Sequence, residues 1–125
     1  MQMATGSTPS SDKNVLIFSC SGAANVGEIA DEACRRLMFD GRGEMYCLNG
    51  LGGQLDEFVD KTRAADVVLL VDGCDKDCGK QVMAQCGIED YRYVRVTDLG
   101  IEKAKPRRAE EEQIAMVQRR LEGCL

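Results

Sequence analysis

The chain has 125 residues, 16 basic and 21 acidic side chains for a formal net charge of -5, seven cysteines, and neither His nor Trp. That length suits one compact domain that buries a core without staples, and the acidic balance, with three Tyr and three Phe, argues against a nucleic-acid partner. Without His there is no Ser-His-Asp triad, no Cys-His dyad and no HExxH zinc site, so any metal must be held by thiolates or carboxylates.

Residues 1–13 are rich in Ser, Thr, Gly and Pro and lack periodicity; they read as a flexible tail ahead of a single α/β domain over residues 14–125. The first residues carry no charged stretch followed by an apolar one, so no signal peptide is expected. No apolar run approaches the roughly 20 residues a membrane helix needs. The expectation is a cytoplasmic protein with no membrane partner, in which thiols stay reduced.

Val15-Leu16-Ile17-Phe18 is continuously apolar, the pattern of a strand covered on both faces. After a Ser-Gly-Ala-Ala-Asn loop, Val26, Ile29, Ala30, Ala33, Cys34, Leu37 and Met38 recur at helical spacing up to Asp40-Gly41. Met45 to Leu48 reads as a short strand, Asn49 to Gly53 as a glycine-rich turn, and the next helix places Leu55, Phe58, Val59 and Thr62 inward. Val67 to Val71 is the strongest strand. A helix from near Asp75 carries Val82, Met83 and Cys86 and stops at Gly87. Tyr91 to Thr97 is a strand interrupted by Arg92 and Arg95, charges that suit an edge strand with one solvated side, and Ile114, Val117 and Leu121 mark a last amphipathic helix whose first turn holds Glu110, Glu111 and Glu112. Four strand–helix repeats predict an α/β fold with a four-stranded parallel sheet, flavodoxin-like or Rossmann-like, in the order 2-1-3-4, with helices on both faces.

Cys20, Cys47 and Cys74 recur at intervals of 27 residues, each at or just beyond a predicted strand end. In a parallel sheet all carboxyl ends share one edge, with neighbouring strands about 4.8 Å apart, and that edge is where such sheets bind ligands. Cys78 follows Cys74 by four residues and can sit in the first turn of the next helix. Four thiols then face one region, and zinc takes four tetrahedral thiolates, its excess negative charge offset by backbone N–H groups at helix starts. Cys34 and Cys86 fall on apolar helical stripes and read as core, and Cys124 reads as a frayed or exposed thiol.

Other chemistries fit less well. A strand ending in Cys20 before a glycine-containing loop is similar to low-molecular-weight phosphatases, but the Cys-x5-Arg position holds Val26. GxGxxG is absent after the first strand. A reversible Cys74–Cys78 pair is open, although Cys-x3-Cys is not the thioredoxin spacing. An iron–sulfur cluster is served by four cysteines as well as zinc is. Lys103, Lys105, Arg107 and Arg108 read as solvated surface.

Phe18-Ser19-Cys20-Ser21-Gly22 with Asn25-Val26-Gly27, Met45-Tyr46-Cys47-Leu48, Asp72-Gly73-Cys74 with Cys78, and Val96 to Lys103 together resemble the DGC-domain family, a prokaryotic family called zinc-binding for its cysteines. The resemblance covers roughly residues 14–104 and implies metal ligation by Cys20, Cys47, Cys74 and Cys78. It implies no established reaction. The sequence therefore predicts one zinc per chain in a non-catalytic or sensory role, with a thiol-redox or metal-thiolate enzyme acting on a small molecule as the alternative, and identifies no protein partner.

Overall fold

The computed structural model describes residues 13–125, so the tail expected over residues 1–13 lies outside the described residues except for Lys13. The elements run β1 (Val15–Ser19), α1 (Asn25–Phe39), β2 (Glu44–Met45), α2 (Leu48–Gly52), α3 (Asp56–Ala64), β3 (Val67–Asp72), α4 (Cys78–Gln85), β4 (Arg92–Arg95), a 3-10 turn (Val96–Leu99) and α5 (Glu111–Glu122). The four strands form one parallel sheet in the order β2-β1-β3-β4, as expected. β1 and β3 are central, in register from Val15 opposite Val67 to Ser19 opposite Val71; Ile17 faces Met45 on β2, and Val71 faces Val94 on β4.

Both central strands are apolar at nearly every position because each of their faces is covered. Leu16, Phe18, Val68 and Leu70 pack with Leu51 of α2, with Met83 of α4 and with the partly buried Phe58 and Val59 of α3. Ile17, Leu69 and Val71 pack on the other side with Ile29, Ala33 and Leu37 of α1 and with Val117 and Leu121 of α5. The period of two along the strands and the helical spacing along α1 and α5 thus meet in two cores, one per face. A bidentate ion pair joins the two helices of the second face: Arg36 Nη1 and Nη2 each donate to a carboxylate oxygen of Glu111 at 2.7 Å. Glu110 and Gln113 complete a capping box at the start of α5.

Several boundaries differ from the sequence expectation, each for a local reason. β2 is only Glu44–Met45: Tyr46 still donates its N–H to Ile17 O at 2.9 Å and stacks its ring on Phe58 at 4.8 Å, and α2 begins two residues later at Leu48. The expected glycine-rich turn is the short helix α2; Gly50 lets it press against the Phe58 ring, where a Cβ would come within 2.3 Å of Cδ2. Leu55, expected inward, precedes α3 and is 53% exposed. α4 begins at Cys78 instead of near Asp75, because Asp77 adopts a left-handed φ of 55° that stops the helix from extending backward. β4 ends at Arg95, and Val96 turns inward into the 3-10 segment. Cys124 is half-buried against the α1–α5 core, and Arg92 donates to its carbonyl.

Candidate functional site

The four cysteines singled out by spacing all lie at the carboxyl edge of the sheet or on the helix starts that follow it. Cys20 follows β1 directly, Cys74 follows β3 by two residues, Cys47 precedes α2, and Cys78 is the first residue of α4. Cys20 continues the ladder, its N–H donating to Val71 O at 3.1 Å, and its sulfur accepts the Gly73 N–H at 3.2 Å. Burial pushes the Cys20 thiol up; the N–H groups of Gly22 and Gly73 oppose that shift, while Asp72 and Cys78 add to it. Cys74 is half-buried and accepts a contact from Lys103 Nζ at 3.5 Å, whereas Cys47 and Cys78 are exposed. Cys34 and Cys86 are buried in the two cores, as expected; burial pushes the Cys34 thiol far up.

Asp72, Gly73 and Cys74 carry three separate tasks. Asp72 is 1% exposed. Its Oδ1 accepts the Gly79 N–H at 2.8 Å, and its Oδ2 accepts the Lys80 N–H at 3.3 Å and the Tyr93 hydroxyl at 2.9 Å. A strand residue thereby caps the second and third residues of α4, a service usually given by the residue just ahead of a helix. Asp77, which occupies that place, is turned away and binds Arg95 Nη2 at 2.6 Å. Its carboxyl is held below the usual range, first by the Arg95 hydrogen bond. Tyr93 is pushed up by burial and then by Asp72. Gly73 gives its N–H to Cys20 and takes the Thr97 N–H at 3.1 Å. Cys74 meets Lys103.

The loop after β1 is closed by Asn25 and Gly27. Asn25 is buried; its Nδ2 donates to Glu102 O at 2.9 Å, and its Oδ1 accepts the Ala104 N–H at 2.7 Å. This clamp fixes the segment that carries Lys103. Gly27 lies so close to Gly22 that a Cβ would come within 2.3 Å of Gly22 O. Val26, at the position a phosphatase loop gives to Arg, is buried in the core. Ser21 takes a φ of 52° and donates to Asp31 Oδ1 at 2.7 Å. Among the described residues, two of the three non-glycine residues with positive φ, Ser21 and Asp77, therefore adjoin Cys20 and Cys78, and backbone held this way concentrates at functional sites.

Cys20 and Cys47 line one cavity of ≈ 460 Å³ between α1 and the end of β2, whose wall includes the ion pair of Asp31 with Arg35 at 2.6 Å. Cys74 and Cys78 do not line it. Among the described residues, no three His, Cys, Asp or Glu side chains are gathered as a ready metal group. The donors fit a thiophilic ion in kind: four thiols, no imidazole, and backbone N–H groups directed at one sulfur. Sequence reasoning named Asp72 and Asn25 only within motifs and read Lys103 as surface, and gave none of the three a role at the site. An acidic residue closing an otherwise apolar strand was the available signal for Asp72. The contacts of Asn25 and Lys103 are with residues 77 and 29 positions away, and no local pattern reveals such pairings.

No helix of the described residues is long and apolar enough to cross a membrane. No solved structure matches the chain. It is similar to the anaerobic and virulence modulator AnvM of Pseudomonas aeruginosa, 30% identical over 88 residues that span 70% of this chain and 67% of that protein. Residues 16–121, which include Asp72-Gly73-Cys74, match the DGC domain, and the chain belongs to that family.

Proposed function

We propose that the protein binds one zinc ion through the thiolates of Cys20, Cys47, Cys74 and Cys78, in a sensory, non-catalytic role. The observation that carries this reading is the placement of all four thiols at one edge, with the Gly73 N–H donated to the Cys20 sulfur. The thiol-only donor set supports zinc, and a site closed by four thiolates leaves no position for a substrate. Cys47 and Cys78 are exposed, so their side chains turn towards an ion at little packing cost. Cys74 sits beside Lys103, whose positive charge offsets part of the excess charge of a tetrathiolate centre. A relative named as a modulator supports a regulatory role over a catalytic one.

The test is anaerobic purification with metal analysis and a visible spectrum. One zinc per chain and no visible absorption is the expected result, lost in Cys74→Ser and in Cys47→Ser. Zinc stoichiometry unchanged in both variants sinks the four-thiolate reading. A brown protein with broad visible absorption replaces zinc with an iron–sulfur cluster. A zinc-free protein whose Cys74 and Cys78 cycle between thiol and disulfide replaces it with redox chemistry.

A further inference from the structure

The cavity that Cys20 and Cys47 line is lined by two more sulfur-bearing residues. Met38, in the last turn of α1, and Met45, on β2, line the same ≈ 460 Å³ space. Met45 is two residues ahead of Cys47, the spacing at which side chains of extended chain share a face. Both methionines are half-buried, so each presents part of its side chain outside the packed core. Methionine usually fills gaps in cores. Here two of them share an open space with two thiols, one of which, Cys20, is already fixed by the Gly73 N–H.

The charged side chains of that wall, Asp31 and Arg35, are engaged with each other. Asp31 accepts from Ser21 at 2.7 Å and from Arg35 at 2.6 Å, so the carboxylate is occupied and the pair adds no net charge. No imidazole exists in the chain. Beside that pair and the neutral polar residues Ser19, Ser21, Tyr46 and Asn49, the cavity offers sulfur of two kinds, thiol and neutral thioether. Zinc is held by thiolate, imidazole and carboxylate, whereas mixed thiolate and thioether donors select a soft monovalent ion.

We propose that this cavity is a Cu(I) site, with Cys20 and Cys47 as thiolate ligands and Met38 and Met45 as thioether donors. Two thiols lose their protons to solvent on binding, and the resulting bis-thiolate centre carries one negative charge. The Gly73 N–H at Cys20 is placed to offset it. The site differs from the proposed zinc centre in using the methionines and not Cys74 or Cys78, and it stands whether or not zinc binds. Because Cys20 and Cys47 belong to both donor sets, the two ions compete.

The experiment is an anaerobic titration of the full chain with Cu(I) against a colorimetric Cu(I) chelator, with zinc content measured on the same variants. One Cu(I) per chain is expected. Cys47→Ser, an exposed position that leaves the core untouched, should abolish it. The volume-conserving double variant Met38→Leu with Met45→Leu should weaken Cu(I) by about tenfold or more, on the scale of lost supporting contacts at metal sites, and leave zinc stoichiometry unchanged. Cys74→Ser and Cys78→Ser should leave Cu(I) affinity unchanged. X-ray absorption of the loaded protein should show a shell of sulfur alone. The proposal is overturned if the methionine variant binds Cu(I) as tightly as the parent, or if Cys74→Ser removes Cu(I) together with zinc. A failure of zinc binding in the parent chain with Cu(I) retained defeats only the zinc reading.

Discussion

The backbone N–H of Gly73 donates to the Cys20 sulfur at 3.2 Å, joining the chain just past β3 to the residue just past β1. This contact exists because β1 and β3 are paired in register through Ser19 and Val71, and β3 runs only one residue further before both chains leave the sheet. Gly73 is held from its other side by the Thr97 N–H on its carbonyl, so its amide has a fixed direction. The sulfur of Cys20 thus has a built environment before any ion arrives.

The loop that presents Cys20 is set by the approach of Gly27 to Gly22, and this gives a paired prediction. A Cβ on Gly27 would overlap the Gly22 backbone, 2.3 Å from its O and 2.5 Å from its N, and backbone cannot yield as a side chain can. Gly27→Ala should destabilise the protein by about 3 kcal/mol, the upper range for overpacking. A Cβ on Gly22 meets nothing within 4 Å. Gly22→Ala should stay within about 0.5 kcal/mol of the parent. Urea midpoints at constant m-value read the difference; equal effects of the two substitutions would refute this account of the loop.

Asp72 is the buried acceptor for Gly79, Lys80 and Tyr93. Asp72→Ala leaves the Gly79 and Lys80 amides without an acceptor, while the Tyr93 hydroxyl keeps Asp77 Oδ1 at 3.1 Å, and should cost about 3 kcal/mol. Asp72→Asn keeps the volume but turns one acceptor into a donor and should fall between Ala and the parent. Hydrogen exchange should quicken first at the Gly79 and Lys80 amides. A uniform rise in exchange across the whole chain would show that Asp72 serves general stability instead of the start of α4.

The parallel order 2-1-3-4 was legible because it rests on long-wavelength signals: two fully apolar runs in β1 and β3, and charged residues in β4. The edge position of the four cysteines followed from that order alone. What stayed hidden depends on single contacts. Asp77 turns left-handed and delays α4 by three residues, and the Phe58 ring accepts Gly50 and turns an apparent loop into α2. Met38 and Met45 were hidden differently. Met38 fits the apolar stripe of α1 and Met45 a strand, so periodicity assigns both to packing, and only the cavity shows what they adjoin.

Stability should fall at both ends of the pH scale in metal-free protein. Asp77, Glu28 and Glu111 are held below the usual carboxylate range by Arg95, Arg108 and Arg36 respectively. Their native pKa values are depressed, so their contribution is complete above the ordinary carboxylate value of about 4 and is lost as pH falls through the native values. Cys34 is shifted the other way by burial. Its contribution is complete below the ordinary thiol value of about 8.5 and is lost as pH rises beyond it. Urea midpoints across the pH range should show both limbs. The triple variant Glu28→Gln, Asp77→Asn, Glu111→Gln should reduce the acid limb only, and Cys34→Ala should reduce the alkaline limb only, to which Cys20 and Tyr93, pushed up by burial as well, also contribute; limbs that persist unchanged in these variants would assign them to other groups.

Thiol labelling separates the seven cysteines directly. Cys47 and Cys78 are exposed, Cys20, Cys74 and Cys124 are half-buried, and Cys34 and Cys86 are buried at 0% and 7%. Iodoacetamide on folded, metal-free protein should modify Cys47 and Cys78 first, and should reach Cys34 and Cys86 only as fast as the cores open. Cys86 is further held by its contact with Leu51 O at 3.1 Å. Zinc should then protect Cys20, Cys47, Cys74 and Cys78 while leaving Cys124 at its metal-free rate. Cu(I) should protect Cys20 and Cys47 and leave Cys74 and Cys78 reactive. Mass spectrometry of the labelled peptides distinguishes the two patterns in one experiment. Protection by zinc that omits Cys74 and Cys78 would move the zinc to the cavity beside Met38 and Met45, and protection of all four by Cu(I) would erase the distinction between the two sites.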